Sequence, residues 1–203
     1  MEKIIITCSS KYSGSGKDTV AKMIYDLVKS YNKKNKIKII SFSTPAIIEY
    51  MKKNNEYSNF VFYKNNSLDR LKLLEFSKRQ KEKDINKYVK KTLLTINKYI
   101  NDHLIIIPDN RYKYEYDYLI EQMNNTIFIH FEIISNFLNN YHMIDRENYK
   151  IIDNYENYFI SKNNSNHFIY NKIYNLSDLN NLKNEIKNKL FESLIQCTFG
   201  DFL

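Results

Sequence analysis

Short apolar runs alternate along the chain with longer amphipathic stretches. After the apolar run at 4–8, Val20, Ile24, Leu27 and Val28 recur at the spacing of one helix face. Five apolar runs are typical of strands, at 4–8, 37–42, 104–107, 126–131 and 167–170. Helical patterns lie between and after these runs. The first begins at residue 17 and ends at the polar stretch 32–36. The others are at 46–53, 68–80, 85–100, 113–123 and 177–196, and Ser177 is the expected cap of the last one. Strands separated by helices predict an α/β fold, a parallel sheet covered on both faces.

The length of 203 residues suits one α/β domain, and an apolar fraction of 43% is typical of a globular chain. No apolar stretch reaches the length of a membrane span, and the first residues indicate a buried strand rather than a signal peptide. Cys8 and Cys197 form neither a disulfide framework nor a metal-binding spacing, which fits a reducing compartment. We therefore expect a cytoplasmic protein that does not bind a membrane.

The net charge of +8 has three interpretations: a nucleic-acid partner, a field that attracts anionic ligands, or general solubility. Because the lysines are spread along the whole chain, nucleic acid is the least favoured partner. Arginine and glycine are scarce, so their positions indicate charge or backbone requirements that lysine and asparagine do not meet. Arginine occurs only at 70, 79, 111 and 146, and glycine only at 14, 16 and 200.

The turn between the first strand and the first helix has the composition of a phosphate-binding loop. Its residues are Ser13, Gly14, Ser15, Gly16, Lys17, Asp18 and Thr19. Glycines let successive backbone N–H groups point inward, and the helix N-terminus adds a partial positive charge. A surface Gly-Ser turn is the alternative, but the strand before it, the helix after it and the register of Lys17 favour the phosphate loop.

The loop departs from the common pattern G-x-x-x-x-G-K-[ST] at two positions. Lys11 stands where the first glycine is expected, and Asp18 stands where a hydroxyl usually binds Mg²⁺. The Ser-Gly-Lys-Asp order at 15–18 resembles that of two P-loop kinase families. These are the phage-type deoxynucleoside monophosphate kinases and the animal-type phosphomevalonate kinases.

The segment 109–117 is similar to the D-x-R-F-P-N-E-A-D motif of the deoxynucleotide kinases, with Asp109, Arg111, Glu115 and Asp117 in register. Phosphomevalonate kinases share only Asp109 and Arg111 in this segment. The stretches 76–80 and 42–45 resemble segments of both families, and 168–171 resembles the strand and Asn turn near the ATP base.

The resemblance implies a three-layer P-loop fold with a five-stranded parallel sheet in the order 2-3-1-4-5, as a single domain over 1–203. Within it, the core is expected at 1–53, 102–132 and 167–196, the acceptor-binding helices at 54–101 and a lid at 133–166. Such lids often carry several arginines, whereas this segment has only Arg146.

The resemblance also assigns roles to residues. Lys17, Arg111 and Asp109 are the expected catalytic residues, and residues 13–19 with Asn171 are expected to bind ATP. Arg79, Arg111 and Arg70 are expected to bind the acceptor, Arg146 to belong to the lid, and Asp18 and Asp109 to hold Mg²⁺. Alternatives to these roles remain open. The alternative for Arg79 is a helix-surface ion pair, and the alternative for Asp109 is a turn or helix cap. For Arg70 and Arg146 the alternative is a position on the surface without a role in the site.

The implied activity is transfer of the γ-phosphate of ATP, with Mg²⁺, to a small-molecule phosphate acceptor, here a deoxynucleoside monophosphate. Phosphomevalonate kinase is the nearest alternative. A catalytically inactive nucleotide-fold interaction protein and a nucleic-acid-binding protein are alternatives of other classes, and a homodimer is possible. The four histidines, at 103, 130, 142 and 167, show no metal-binding spacing and are expected to be structural.

Overall fold

The computed structural model describes residues 3–10, 15–31, 36–54, 67–101, 103–110, 112–135, 168–175 and 178–198. Five strands are present in these ranges: β1 (Lys3–Ser9), β2 (Ile37–Ile39), β3 (Leu104–Ile107), β4 (Thr126–Ser135) and β5 (Phe168–Asn175). The helices in these ranges are α1 (Lys17–Tyr31), α2 (Ser43–Lys53), α3 (Ser67–Lys83), α4 (Lys87–Tyr99), α5 (Lys113–Gln122) and α6 (Leu179–Thr198).

The strands form one parallel sheet in the order β2-β3-β1-β4-β5. This confirms the expected three-layer α/β fold and its strand order. The central strand β1 pairs with β3 on one side and β4 on the other, so Thr7 lies between Ile107 and His130. All five strands therefore end at one edge of the sheet, the edge at which open parallel sheets bind ligands.

Alternate residues of the strands point to two separate cores. On one face, Ile6 and Cys8 of β1 pack in a cluster with residues of α1 and α6. On the other face, Ile5 packs in a cluster with residues of α4 and α5. Burying one such aliphatic side chain stabilises the fold by about 1.5–3 kcal/mol. The sheet is thus held from both sides.

Two strands are longer than the apolar pattern predicts. β4 continues to Ser135 and β5 to Asn175, and the two strands pair residue by residue from Phe128 with Phe168 to Ser135 with Asn175. Residues 133–135, expected at the start of the lid, therefore extend the sheet. The rest of the expected lid, including Arg146, lies outside the described residues.

Other element ends also differ from the expected ones. β2 ends at Ile39 instead of residue 42, and α2 begins at Ser43 instead of residue 46. At the start of α6, the carboxylate of Asp178 accepts hydrogen bonds from the backbone N–H groups of Asn180 and Asn181, at 2.9 and 3.2 Å. Asp178 is therefore a cap of this helix, while the expected cap, Ser177, lies outside the described residues.

Among the described helices, none has both the length and the apolar character needed to span a bilayer.

Candidate functional site

The junction between β1 and α1 has the backbone of a phosphate-binding turn in its described part. Gly16 has a φ of 93°, a region that favours glycine because it has no Cβ. Its carbonyl accepts the first hydrogen bond of α1, from the N–H of Val20 at 2.9 Å. The helix therefore starts directly after Gly16, and its first backbone N–H groups lie at the C-terminal edge of the sheet. Ser13 and Gly14 lie outside the described residues.

Lys17 is the first residue of α1, and only 7% of its surface is exposed. Its Nζ donates a hydrogen bond to Oγ of Ser10 at 3.0 Å, which holds the ammonium group at the end of the central strand. A buried ammonium is costly unless it has anionic or polar partners. An anion bound at this helix N-terminus would lower that cost. Asp18 and Thr19, the next two residues, are exposed.

A buried polar network lies beside this junction, on the face that packs against α4 and α5. His130 of β4 is hydrogen-bonded through Nδ1 to Thr7 at 2.8 Å and through Nε2 to Ser9 at 2.9 Å. The hydroxyl of Tyr116 on α5 lies 2.6 Å from Nδ1 of His130. The ring of Tyr170 stacks on the imidazole, and the two ring centroids are 5.9 Å apart. Burial lowers the pKa of His130 to about 3, so the ring stays neutral and structural.

Sequence reasoning missed this network because its members belong to separate elements. The detectable signal was a run of hydroxyl residues, Thr7, Ser9 and Ser10, at the end of an apolar strand.

Cys8, within the same run, faces the other core. Burial raises the pKa of its thiol to about 12, although the charge of Lys17 acts in the opposite direction. Cys8 is therefore protonated and is not a nucleophile at neutral pH.

Asp109 lies just after β3 and contacts the start of α2. Its carboxylate accepts hydrogen bonds from the hydroxyl of Ser41 and from the backbone N–H groups of Phe42, at 2.8 Å, and Ser43, at 3.0 Å. A carboxylate has about four lone-pair sites, so three are used here. The geometry favours the helix-cap alternative, and among the described contacts one lone-pair site, on Oδ1, is left for the predicted metal contact.

Arg79 projects from α3 with 72% of its side chain exposed, and its guanidinium lies 3.6 Å from Glu75 one turn earlier. This is the helix-surface ion pair considered as the alternative to acceptor binding. The same side chain also lines a cavity of about 280 Å³ between α2 and α3, together with the cationic residues Lys53 and Lys72. Phe76 is part of the cavity wall. Acceptor binding by Arg79 stays a prediction.

The turn expected at Asn171 is wrong, because this residue lies in a strand, while its contact with ATP stays a prediction. The residue lies inside β5, paired with Phe131 of β4, and its amide donates a hydrogen bond to Oγ of Ser193 on α6 at 2.8 Å. Arg70 lies on α3, and its side chain is not among the described ones. Arg111 lies outside the described residues, between Asn110 and Tyr112.

No group of three or more His, Cys, Asp and Glu side chains suited to a metal ion occurs within the described ranges. Mg²⁺ does not require such a group, because in nucleotide sites it is held by one or two carboxylates together with phosphate oxygens and water. The exposed carboxylate of Asp18, in the first turn of α1, fits that donor set.

No protein-family model matches the chain, and no curated protein matches it. Among solved structures, it is similar to a gluconokinase from Sinorhizobium meliloti 1021, at 11% identity and a TM-score of 0.46, over 98% of this chain and 97% of that one. It is also similar to a thymidylate kinase from Ehrlichia chaffeensis, at 16% identity and a TM-score of 0.46, over 94% and 100%. A putative plasmid partition protein from Borrelia burgdorferi B31, bound to AMPPNP, is 20% identical with a TM-score of 0.39, over 97% and 99%. Likenesses this distant carry no activity over to this chain.

Proposed function

We propose that this chain is an ATP-dependent kinase that transfers the γ-phosphate of ATP to a small molecule already carrying a phosphate group. The observation that supports this most is the β1–α1 junction. There, Gly16 turns the backbone into a helix N-terminus, and the buried ammonium of Lys17 lies beside Ser10. A helix N-terminus and an ammonium group at the end of a central strand suit a polyphosphate.

In the proposed reaction, an oxygen of the acceptor phosphate attacks the γ-phosphorus while the bond from that phosphorus to the oxygen of ADP breaks. The acceptor oxygen is already ionised at neutral pH, so no general base is needed. Catalysis is then a matter of positioning and of neutralising charge. This is consistent with His130, which is neutral and enclosed by Thr7, Ser9 and Tyr116 rather than facing a substrate.

The proposed roles follow the charges of the residues. Lys17 contacts the β- and γ-phosphates, and Arg111 and Arg79 bind acceptor or transferring phosphates through their planar guanidinium groups. Asp18 and the remaining lone pair of Asp109 are the proposed Mg²⁺ contacts. Mg²⁺, when bound, neutralises phosphate charge.

A deoxynucleoside monophosphate is the proposed acceptor. The register of Asp109, Arg111, Glu115 and Asp117 with the deoxynucleotide kinase motif supports it over phosphomevalonate. The α2–α3 cavity is lined by Lys53, Lys72 and Arg79 together with Glu75, so its net charge is positive and is compatible with either acceptor, since both carry phosphate.

A coupled assay of ADP formation with dGMP, dTMP, dCMP and phosphomevalonate tests the proposal. The expected result is ADP formation that depends on one of the deoxynucleotides and is lost in Lys17→Ala. ADP formation with phosphomevalonate alone would replace the proposed acceptor. ATP binding without phosphate transfer to any of the four would favour the catalytically inactive protein.

A further inference from the structure

Several of the buried side-chain polar atoms without a hydrogen-bond partner in the described part of the chain lie toward the C-terminal edge of the sheet. They belong to Asn86, just before α4, to Tyr88 and Thr92 on α4, to Asn110 after β3, and to Tyr114 in the first turn of α5. Asn110 has no partner for either its amide oxygen or its amide nitrogen. Leaving one buried polar group unpaired costs about 1–3 kcal/mol, so a set of such groups gathered toward one edge of the sheet is a candidate for ligand binding.

These groups are well inside the protein rather than at its surface. The exposed fractions are 3% for Tyr88, 1% for Thr92 and 0% for Asn110. Burial raises the pKa of the Tyr88 and Tyr114 hydroxyls, so both remain neutral hydrogen-bonding groups at physiological pH. The set therefore offers neutral donors and acceptors and no formal charge.

The chain topology brings these residues toward the phosphate-binding junction. α4 ends at Tyr99, just before β3 begins at Leu104, and Val89 and Ile96 pack it against the sheet. From this order we infer that the first turns of α4, with Tyr88, lie toward the C-terminal edge of the sheet. Thr7 of β1 pairs with Ile107 of β3. Ser10 and Asn110 follow these paired residues by the same number of positions, and Ser10 is the residue that binds Lys17.

Aromatic rings accompany the polar groups at this edge. Tyr112 and Tyr114 stack with their centroids 5.3 Å apart and their planes 17° apart, and the ammonium of Lys81 lies 4.5 Å from the centroid of Tyr112. A primary amide presents a donor and an acceptor in one plane, the pattern found on the edge of a nucleobase. An acyclic acceptor such as phosphomevalonate instead carries a carboxylate, which neutral hydroxyl and amide groups do not neutralise.

We propose that Asn110, with the hydroxyls of Tyr88 and Thr92, binds the hydrogen-bonding edge of a nucleobase in the acceptor. This inference rests on the proposed function, in which the acceptor phosphate attacks the γ-phosphate that Lys17 contacts. It assigns Asn110 as a residue that determines the specificity for the acceptor. The sequence resemblance assigns roles only to its two charged neighbours, Asp109 and Arg111.

Isosteric substitutions separate a ligand-binding role from a structural one. Tyr88→Phe, Thr92→Val and Asn110→Leu each remove an unpaired polar group and keep the approximate shape. Thr126→Val is the matched control, because Thr126 is also a buried, unpaired hydroxyl but lies at the start of β4, at the opposite edge of the sheet. All four substitutions should leave the unliganded melting temperature unchanged or raised, since an apolar group replaces an unpaired polar one.

The decisive measurement is ligand-induced thermal stabilisation, which requires no turnover. For the wild type and Thr126→Val, the best-binding nucleotide among dGMP, dTMP and dCMP should stabilise the protein more than 2-deoxyribose 5-phosphate, which has no base. In Asn110→Leu, the affinity for that nucleotide should fall about tenfold or more, the equivalent of one lost hydrogen bond of about 1.4 kcal/mol. ATP affinity should not change.

Two results would overturn the inference: nucleotide affinity in the α4 and Asn110 variants equal to that of Thr126→Val, or lower melting temperatures of these variants without ligand. Phosphorylation of phosphomevalonate alone would also overturn it, while leaving the kinase activity established. Conversely, nucleotide binding that depends on Asn110, with no ADP formed, would support the inference and remove the proposed kinase activity.

Discussion

The carboxylate of Asp109 accepts a hydrogen bond from the hydroxyl of Ser41, a residue 68 positions earlier in the chain. The same carboxylate accepts hydrogen bonds from the backbone N–H groups of Phe42 and Ser43, where α2 begins. One side chain therefore joins the C-terminal ends of the neighbouring strands β2 and β3. It also fixes the position at which α2 begins, and α2 forms one wall of the α2–α3 cavity.

Replacing Asp109 should separate its capping role from its proposed metal contact. Asp109→Ala leaves two backbone N–H groups and the Ser41 hydroxyl without their acceptor, so the free energy of unfolding in urea should fall by about 1–2 kcal/mol. Asp109→Asn keeps one acceptor oxygen and should lose less. If the carboxylate also contacts Mg²⁺, Asp109→Asn should require more Mg²⁺ for half-maximal activity. Wild-type stability in Asp109→Ala would contradict the capping role.

Lys17→Ala should abolish phosphate transfer while the protein remains folded. The substitution removes the buried ammonium group that bonds to Ser10 at the start of α1, and a loss of about 2–4 kcal/mol in transition-state stabilisation is expected. Turnover is measured by the coupled ADP assay, and folding by circular dichroism. Lys22→Ala is the matched control, because Lys22 lies on the same helix but is exposed and paired with Asp26 at 2.8 Å. Equal turnover in the two variants would rule out the phosphate-loop assignment.

Features set by neighbouring residues were predictable from the sequence. The β1–α1 junction follows from an apolar run, two glycines and a helical period that all lie within 30 residues of one another, and β3 follows from its unbroken apolar run. In both cases the local pattern and the tertiary structure favour the same conformation. The five-stranded order followed from the resemblance that these local motifs carry.

Features that depend on distant partners were not predictable. The start of α2 depends on Asp109, 66 positions after Ser43, in addition to the nearby hydroxyl of Ser41, which accepts a hydrogen bond from the Ser43 N–H at 3.3 Å. β5 continues through Asn171 to Asn175 because β4 lies alongside it, although asparagine is unfavourable in strands. The unpaired amide of Asn110 gives no sequence signal either, since burial and the lack of a partner are properties of the folded chain.

Gly16→Ala should reduce ATP affinity more than it reduces stability. A Cβ at a φ of 93° costs about 1–2 kcal/mol in backbone strain, and in the proposed complex the added methyl group would also lie where the backbone approaches the phosphates. Isothermal titration with ATP and urea denaturation measure the two effects. Ala21→Gly is a control for backbone flexibility on the same helix. Wild-type ATP affinity in Gly16→Ala would show that the turn does not contact the nucleotide.

His130 should make the protein less stable as the pH falls. Burial lowers the pKa of the folded-state imidazole to about 3, from an ordinary value of 6.5. Below about pH 6.5 the unfolded chain takes up a proton that the folded chain does not, so the free energy of unfolding falls by up to about 1.4 kcal/mol per pH unit. This contribution to stability is complete above pH 6.5 and is lost progressively toward pH 3. Urea denaturation at about pH 7.5, 6 and 5 measures the slope.

The variant His130→Gln isolates this contribution, because glutamine does not titrate and its amide can still bond to Thr7 or Ser9. Its free energy of unfolding should depend less on pH between about 5 and 6.5 than that of the wild type, even if it is lower at every pH. Carboxylates titrate in both proteins and cancel in the comparison. His103→Gln is the matched control, since His103 is half-buried and bonds only to the carbonyl of Tyr99 among the described contacts. Parallel pH profiles for His130→Gln and the wild type would mean that the imidazole is protonated inside the folded protein, and that the network around Thr7, Ser9 and Tyr116 holds a cation.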